Sequence, residues 1–347
     1  MNDKIHICNW LLTRKCNLNC SYCAIVKNYK GKPAEYPDMK YYHRNEMTTQ
    51  DIIDGLKKLK KHNPDMFHLF YGGEPLLRRD IADIINFCNK EDIHYTIITN
   101  NSPELIDDLE DLLLKVDFLN GLTSSVDPVF HEIGDSDRIK KSISGIMGLK
   151  KYKDVINDLV AEITVSPDDV DHLLPLVRKL TKEGINSDIT FVDVAKTPYY
   201  DFSNVTDPKG LVMPTRKLET VLGRMIEEGL DVHMLKSLVM QTFDILPSNM
   251  DCQIDKTLHN ITVDADGSIR LCLRVRGVST PRAIGLNQNL FTKTGKVNTF
   301  AKEMIQRDKK NFCRGCNHTC LLMSLMIDEN KGNVDELVHL ERRLDES

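Results

Sequence analysis

From Ile5 to Val194 the apolar positions switch between two rhythms. Short runs of strand type alternate with longer stretches whose apolar residues recur every three or four positions. Ile5 to Leu12 reads as a strand, and Glu46 to His62 as an amphipathic helix that Thr48 or Thr49 can cap. Met66 to Tyr71 is a strand ending in Gly72-Gly73, and Ile81 to Asn89 has helical spacing. His94 to Thr99 reads as a strand. Pro103 to Lys115 follows as a helix with Ser102 at its cap and Pro103 at its first position. Phe118 to Ser125 (strand), Ile139 to Lys151 (helix), Leu159 to Val165 (strand), Val170 to Glu183 (helix stopped by Gly184) and Ile189 to Val194 (strand) complete the series.

Strands alternating with helices predict a parallel sheet with crossover helices. Six such units predict an α/β fold, a partial (β/α)6 TIM-like barrel short of the eight units of a closed one. Beyond Val194 the rhythm changes. Lys196 to Gly210 is a polar, proline-bearing loop and Thr215 to Gly229 a helix. Ile261 to Val263 and Ile269 to Leu271 flank the turn Asp264-Ala265-Asp266-Gly267 and predict a β-hairpin. Val334 to Leu344 is a charged amphipathic helix. The expected division is a barrel over 1–205, a connecting helical segment over 206–250 and a small cysteine-rich domain with the hairpin over 251–347.

Hydrophobic residues make up 41% and charged residues 28% of the 347, with net charge −5. That balance is of globular type and gives no support for a nucleic-acid partner. The basic run Lys57 to Lys61 closes a helical pattern, where it complements the helix dipole. No stretch reaches the ~18 apolar residues of a membrane span. The N-terminus lacks the pattern of a signal peptide, so a cytoplasmic setting with reduced thiols is expected.

In that setting, ten cysteines read as metal or redox ligands rather than disulfides. Cys8 and Cys88 fall on strand and helix patterns and read as buried apolar residues. The other eight form two groups. Cys16, Cys20 and Cys23 stand in a C-x3-C-x2-C loop just after the first strand. Three thiolates there can hold three irons of a 4Fe–4S cluster and leave the fourth iron open. The competing reading is zinc completed by a distant residue, but zinc sites come as paired C-x2-C units.

This spacing, with Tyr22 just before the last cysteine, resembles the signature of the radical S-adenosylmethionine superfamily. The resemblance implies that the open iron binds S-adenosylmethionine, whose reductive cleavage gives a 5′-deoxyadenosyl radical that removes hydrogen from a substrate. Other segments resemble the family in the same order. Tyr71-Gly72-Gly73-Glu74-Pro75 is similar to its G-G-E-P segment, implying that the backbone and Glu74 contact the methionine amino group. Thr99-Asn100 and Ser125-Val126-Asp127 are similar to its segments after the third and fourth strands, where ribose and methionine carboxylate are met. Outside this context, each such pair is equally what an ordinary cap or turn uses.

The second group is Cys252, Cys272, Cys313, Cys316 and Cys320. Four thiolates from a hairpin and a later loop suit a second cluster or a structural zinc, and spacing does not separate the two. The arrangement resembles the SPASM/twitch extension of the same superfamily, with Gly267 and Cys272 in its C-x9–15-G-x4-C hairpin. That resemblance implies one auxiliary 4Fe–4S cluster on Cys252, Cys272, Cys313 and Cys316. Cys320 competes for a place, and His318 is a conceivable substitute.

Enzymes with this extension mostly modify peptide or protein side chains, which is the expected activity here; oxidation or rearrangement of a small molecule such as a sugar, aminocyclitol or nucleoside is the alternative. The first strand starts within a few residues of Met1, so no fused leader-binding domain is expected. An electron donor such as flavodoxin or ferredoxin is the implied partner. Asp193, Tyr199 and Tyr200 follow the sixth strand as polar candidates for the pocket, with a structural role the commoner reading for each. A nonenzymatic iron–sulfur or zinc protein is a third class, against which the complete cysteine loop with Gly72-Gly73-Glu74 argues.

Overall fold

A computed structural model describes residues 5–18, 46–126, 136–165, 169–191, 215–230, 232, 260–267 and 269–270. Among them, strands and helices alternate as β1 (Ile7–Leu11), α1 (Thr49–His62), β2 (Phe67–Tyr71), α2 (Ile81–Lys90), β3 (Tyr95–Thr99), α3 (Ile106–Lys115), β4 (Leu122–Ser125), α4 (Ser136–Leu149), β5 (Leu159–Val165), α5 (Val170–Lys182) and β6 (Asn186–Phe191). α6 (Thr215–Glu227), β7 (Asn260–Val263) and β8 (Ile269–Arg270) follow. The sheet order is β6-β5-β4-β3-β2-β1-β7-β8, parallel throughout except for the final antiparallel pair. Sequence-ordered parallel neighbours joined by helices are the expected partial α/β barrel.

Period-two alternation decides which face meets the helices. Trp10, Phe70, Ile97 and Leu122 are buried in one cluster with Ile52, Leu56, Ile84 and Leu109 of the helices. Ala161, Ile163, Val165 and Ile189 are buried with Leu173, Val177 and Leu222 in a second. Within the first, Trp10 Nε1 donates to His68 Nδ1 at 2.9 Å, and Phe70 packs on Tyr95 with ring centroids 5.7 Å apart. Burial, with a further push from His94, holds His68 down at about 3, so it is a neutral acceptor. Cys8 and Cys88 are both fully buried, and burial pushes both thiols up.

The opposite face is the barrel interior, and on β3 to β6 it is polar apart from Ile98 and Val160. Thr96, Thr123, Ser125, Glu162, Thr164, Asp188 and Thr190 alternate with the buried residues. Registry aligns Ser125, Glu162 and Asp188 across β4, β5 and β6. This polarity explains one shift from expectation. The sixth strand begins at Asn186 rather than Ile189, because a strand with a polar interior face needs no apolar start.

Local chemistry sets the other boundaries. Thr48, not Thr49, caps α1, in a reciprocal capping box with Asp51. Ser102 makes no side-chain cap, and Pro103–Leu105 is a separate 3-10 turn before α3. The fourth strand starts at Leu122, after Leu119 has bridged to Ile156. Gly184 and Gly229 follow α5 and α6 with φ of 68° and 59°, where a Cβ is strained. The hairpin lies in the barrel sheet itself: β7 pairs in parallel with β1, Ile7 opposite Asn260 and Trp10 opposite Val263. Residues 192–214, 233–259 and 271–347, which hold most of the expected connecting segment and cysteine-rich domain, lie outside the described residues.

Candidate functional site

The carboxyl ends of parallel strands are where an α/β barrel presents its chemistry. Here β1 runs into the loop Leu12 to Leu18, β2 into Gly72-Gly73-Glu74 and β3 into Thr99-Asn100. The β1–β2 ladder continues past the strands. Leu12 N–H donates to Tyr71 O, Gly73 N–H to Thr13 O and Glu74 N–H to Lys15 O, each at 2.7 Å. The segment leading into Cys16 is thus zipped onto the Gly-Gly-Glu segment. A Cβ on Gly73 would overlap the Lys15 carbonyl oxygen and lie 2.5 Å from its carbon. A Cβ on Gly72 would overlap the Thr13 carbonyl oxygen and lie 3.1 Å from its nitrogen. In this fold both glycines make room for the cysteine loop.

Glu74 is fully buried and faces protein on all sides. Its Oε1 accepts from Leu76 N–H at 3.1 Å and from the Thr99 hydroxyl at 2.9 Å; its Oε2 accepts from Asn100 N–H at 2.8 Å. Burial pushes its carboxyl up to about 7, against the pull of these three bonds. The carboxylate pins the end of β3 to the turn after β2.

Asn100 carries the connection on to the cysteine loop. Its Nδ2 donates to Asn17 Oδ1 at 2.9 Å and reaches Cys16 Sγ at 3.8 Å, while its Oδ1 accepts from Ser102 N–H at 2.9 Å. Asn17 Nδ2 donates to the Ser102 hydroxyl at 2.7 Å and to Glu104 Oε2 at 3.0 Å. Leu18 N–H points at Cys16 Sγ from 3.4 Å. The sulfur is half-exposed, with both N–H groups facing it.

The structure therefore brings Cys16, Gly72, Gly73, Glu74, Thr99 and Asn100 into one assembly. Ser125 stands further along the same edge, at the end of β4. Cys20, Tyr22, Cys23, Asp127, Asp193, Tyr199 and Tyr200 lie outside the described residues, as do Cys252, Cys272, Cys313, Cys316, His318 and Cys320.

Sequence reasoning missed three charged residues that seat the loop. Glu46 accepts from Arg14 N–H at 2.8 Å and from the Thr13 hydroxyl at 2.9 Å. Arg78 donates to Leu12 O at 2.8 Å and to Met47 O at 3.2 Å. Arg14 reaches Asp264 in the hairpin turn at 2.5 Å. None carried a local signal, since the partners that fix them lie 31 to 250 residues away in sequence.

Known proteins agree with this geometry. The pattern describing the radical SAM superfamily matches residues 10–192. An S-adenosylmethionine-dependent nucleotide dehydratase of Selenomonas ruminantium is 32% identical over 127 residues, 33% of this chain and 40% of that protein. A GTP 3′,8-cyclase of Aquifex aeolicus is 25% identical over 284 residues, 76% of this chain and 80% of that one. Streptococcus suis SuiB, solved with S-adenosylmethionine bound, shares the fold with TM-score 0.56 and 16% identity. The match covers 80% of this chain and 62% of SuiB, so the chain spans less than two thirds of both the dehydratase and SuiB. With the segment leading into Cys16 zipped to Gly72-Gly73-Glu74 and more than half its length matched by the family pattern, the chain belongs to the radical SAM superfamily.

Proposed function

We propose that the chain reductively cleaves S-adenosylmethionine and uses the radical to take hydrogen from a small, polar, hydroxyl- or amine-bearing molecule held in the barrel. The superfamily uses a 4Fe–4S cluster and S-adenosylmethionine. The described residues fit that pair: Cys16 presents a sulfur with N–H donors aimed at it, and the loop behind it is backed by two glycines and fixed by Glu74 and Asn100. Cys16, Cys20 and Cys23 would hold the cluster, and the ledge from Gly72 to Asn100, with Ser125 and Asp127, would meet the S-adenosylmethionine. Together the two cofactors supply a 5′-deoxyadenosyl radical. The protein fixes the thiolates, keeps the loop from shifting, and confines the substrate between strands.

The observation that favours a small polar substrate is the interior row Ser125, Glu162 and Asp188. Carboxylates at the lining suit hydroxyls and amines. The long match to a GTP 3′,8-cyclase supports a small-molecule reaction more broadly. A peptide or protein side chain is the second reading. It rests on the cysteine pattern after Cys252, which resembles an extension found mostly in peptide-modifying enzymes. That pattern also supports an auxiliary 4Fe–4S cluster, and flavodoxin or ferredoxin would supply the electron. The barrel over 1–205, a connecting segment over 206–250 and a cysteine-rich unit over 251–347 remain the proposed organisation, with the hairpin shared between sheet and C-terminal unit.

The test is anaerobic reconstitution, then dithionite with S-adenosylmethionine. 5′-Deoxyadenosine is expected, and its absence would sink the enzymatic reading. Iron near four atoms per chain, with bound zinc, would replace the auxiliary cluster by a structural zinc. Deuterated nucleosides, aminocyclitols and short peptides, each offered in turn, separate the substrate readings by which one transfers deuterium into 5′-deoxyadenosine.

A further inference from the structure

We propose that Arg14 is a positioning residue, and that its ion pair with Asp264 makes the C-terminal hairpin the back wall against which the first cysteine loop is seated. The proposal rests on Cys16 being a cluster ligand.

Arg14 lies two residues before Cys16 and is 250 residues from Asp264 in sequence. Its side chain is 3% exposed, against 5% for Asp264 and 8% for Asp266. Its Nη2 stands 2.5 Å from Asp264 Oδ1 and 3.8 Å from Asp266 Oδ2. Removing such charges from water is costly unless they meet each other, so the pair holds only while loop and hairpin stay together. The turn is itself ordered for this task. Asp264 Oδ1 also accepts from Ala265 N–H at 2.7 Å, and Gly267 N–H donates to Asp264 O at 2.8 Å with φ of 78°.

The contact is part of a ring around the loop. Met47 N–H donates to Ala265 O at 2.7 Å, tying the segment before α1 to the same turn. Glu46, next to Met47, takes the Arg14 N–H and the Thr13 hydroxyl. On the other side Gly73 and Glu74 hold Thr13 O and Lys15 O. The loop that presents Cys16 is therefore gripped by Gly73 and Glu74 on one side and by the hairpin turn on the other. Cys252 and Cys272 flank that hairpin in sequence. Arginine suits the position, because a planar guanidinium can face two carboxylates and never loses its charge.

The experiment uses the full chain, with Arg14→Lys, Asp264→Asn and the paired variant Arg14→Met with Asp264→Leu. The paired variant removes the 2.5 Å pair together, a replacement that buried ion pairs often tolerate, and leaves only the more distant Asp266 carboxylate. Two signatures are read. One is amide exchange of residues 12–17 in the cluster-free chain. The other is the electron paramagnetic resonance spectrum of the reconstituted, reduced chain, with and without S-adenosylmethionine. The paired variant should melt close to the native chain, exchange these amides at least tenfold faster, and lose the spectral change that S-adenosylmethionine induces. Native exchange and a native spectral response in a folded paired variant would overturn the proposal. Should that variant not fold, Arg14→Lys decides by the same two signatures, a native result again counting against it. Asp264→Asn should match or exceed the Arg14→Lys effect, since it leaves the arginine buried beside a neutral partner. If the native chain itself shows no spectral response to S-adenosylmethionine, the cofactor assignment fails, while the exchange measurement still reports whether the hairpin seats the loop.

Discussion

Gly73→Ala puts a methyl group where the structure has the backbone of the cysteine loop. The new carbon would overlap the Lys15 carbonyl oxygen, with the Lys15 carbonyl carbon at 2.5 Å and the Arg14 carbonyl carbon at 2.9 Å. None of these is a flexible side-chain end, so relief requires the loop to retreat by roughly an ångström from its van der Waals limit. Retreat breaks the bonds from Gly73 N–H to Thr13 O and from Glu74 N–H to Lys15 O, both 2.7 Å long. Each lost bond costs about 1 kcal/mol, and residual overpacking adds about 1–3 kcal/mol. The expected loss is therefore roughly 3–5 kcal/mol. It falls on the loop rather than on the distant core around Leu173 and Val177. Urea unfolding of the cluster-free chain measures the cost, and iron per chain after reconstitution measures its effect on the first site. Gly148→Ala is the control. It lies in α4, and the added methyl would meet nothing within 4 Å, so helix propensity should leave it neutral or slightly stabilising. A Gly73→Ala chain that unfolds within about 1 kcal/mol of native and binds native iron would refute the idea that the glycines exist to admit the loop.

Three further outcomes follow from the same geometry. Because burial raises the Glu74 carboxyl from 4.5 to about 7, its contribution to the cluster-free fold is full below pH 4.5 and is lost as pH rises through 7. The loss is about 3 kcal/mol, and Glu74→Gln should flatten stability across that window; an unchanged pH profile in the variant would contradict the assignment. Trp10→Phe leaves buried His68 Nδ1 without its donor and should cost about 1–3 kcal/mol in chemical denaturation, with cluster loading unchanged. Glu162→Gln and Asp188→Asn, on the interior face, should leave uncoupled 5′-deoxyadenosine formation within about twofold but weaken substrate-dependent deuterium transfer at least tenfold, as for losing about 1.4 kcal/mol of substrate recognition. Equal loss of both products would move these residues from substrate to cofactor.

What the sequence makes legible is chemistry whose partners are near in the chain. Helix periodicity places α1, α2, α3 and α5 to within a few residues, and Thr48 with Asp51 marks the start of α1 by local bonds alone. Cys16, Gly72-Gly73-Glu74 and Thr99-Asn100 stand out because their types and order suit a cofactor, and the fold gathers them at one strand edge. The apolar rhythm fails at β6, where Asn186 and Asp188 line a polar interior and Ser187 interrupts the buried face. It is equally silent at Glu74, where only the fold reveals the bonds that the carboxylate accepts from Leu76, Thr99 and Asn100. Both failures have one source. A side chain's role depends on what the sheet brings opposite it, and no local pattern encodes that. The case reaches its extreme at Arg14, which reads as one more charged residue in a loop until β7 pairs with β1 and carries Asp264 to it. Parallel pairing across 250 residues leaves no periodic trace, yet it determines how firmly the loop bearing Cys16 is held. The cysteine spacing thus identifies the cofactor, whereas the stiffness of its seat is a property of the assembled sheet.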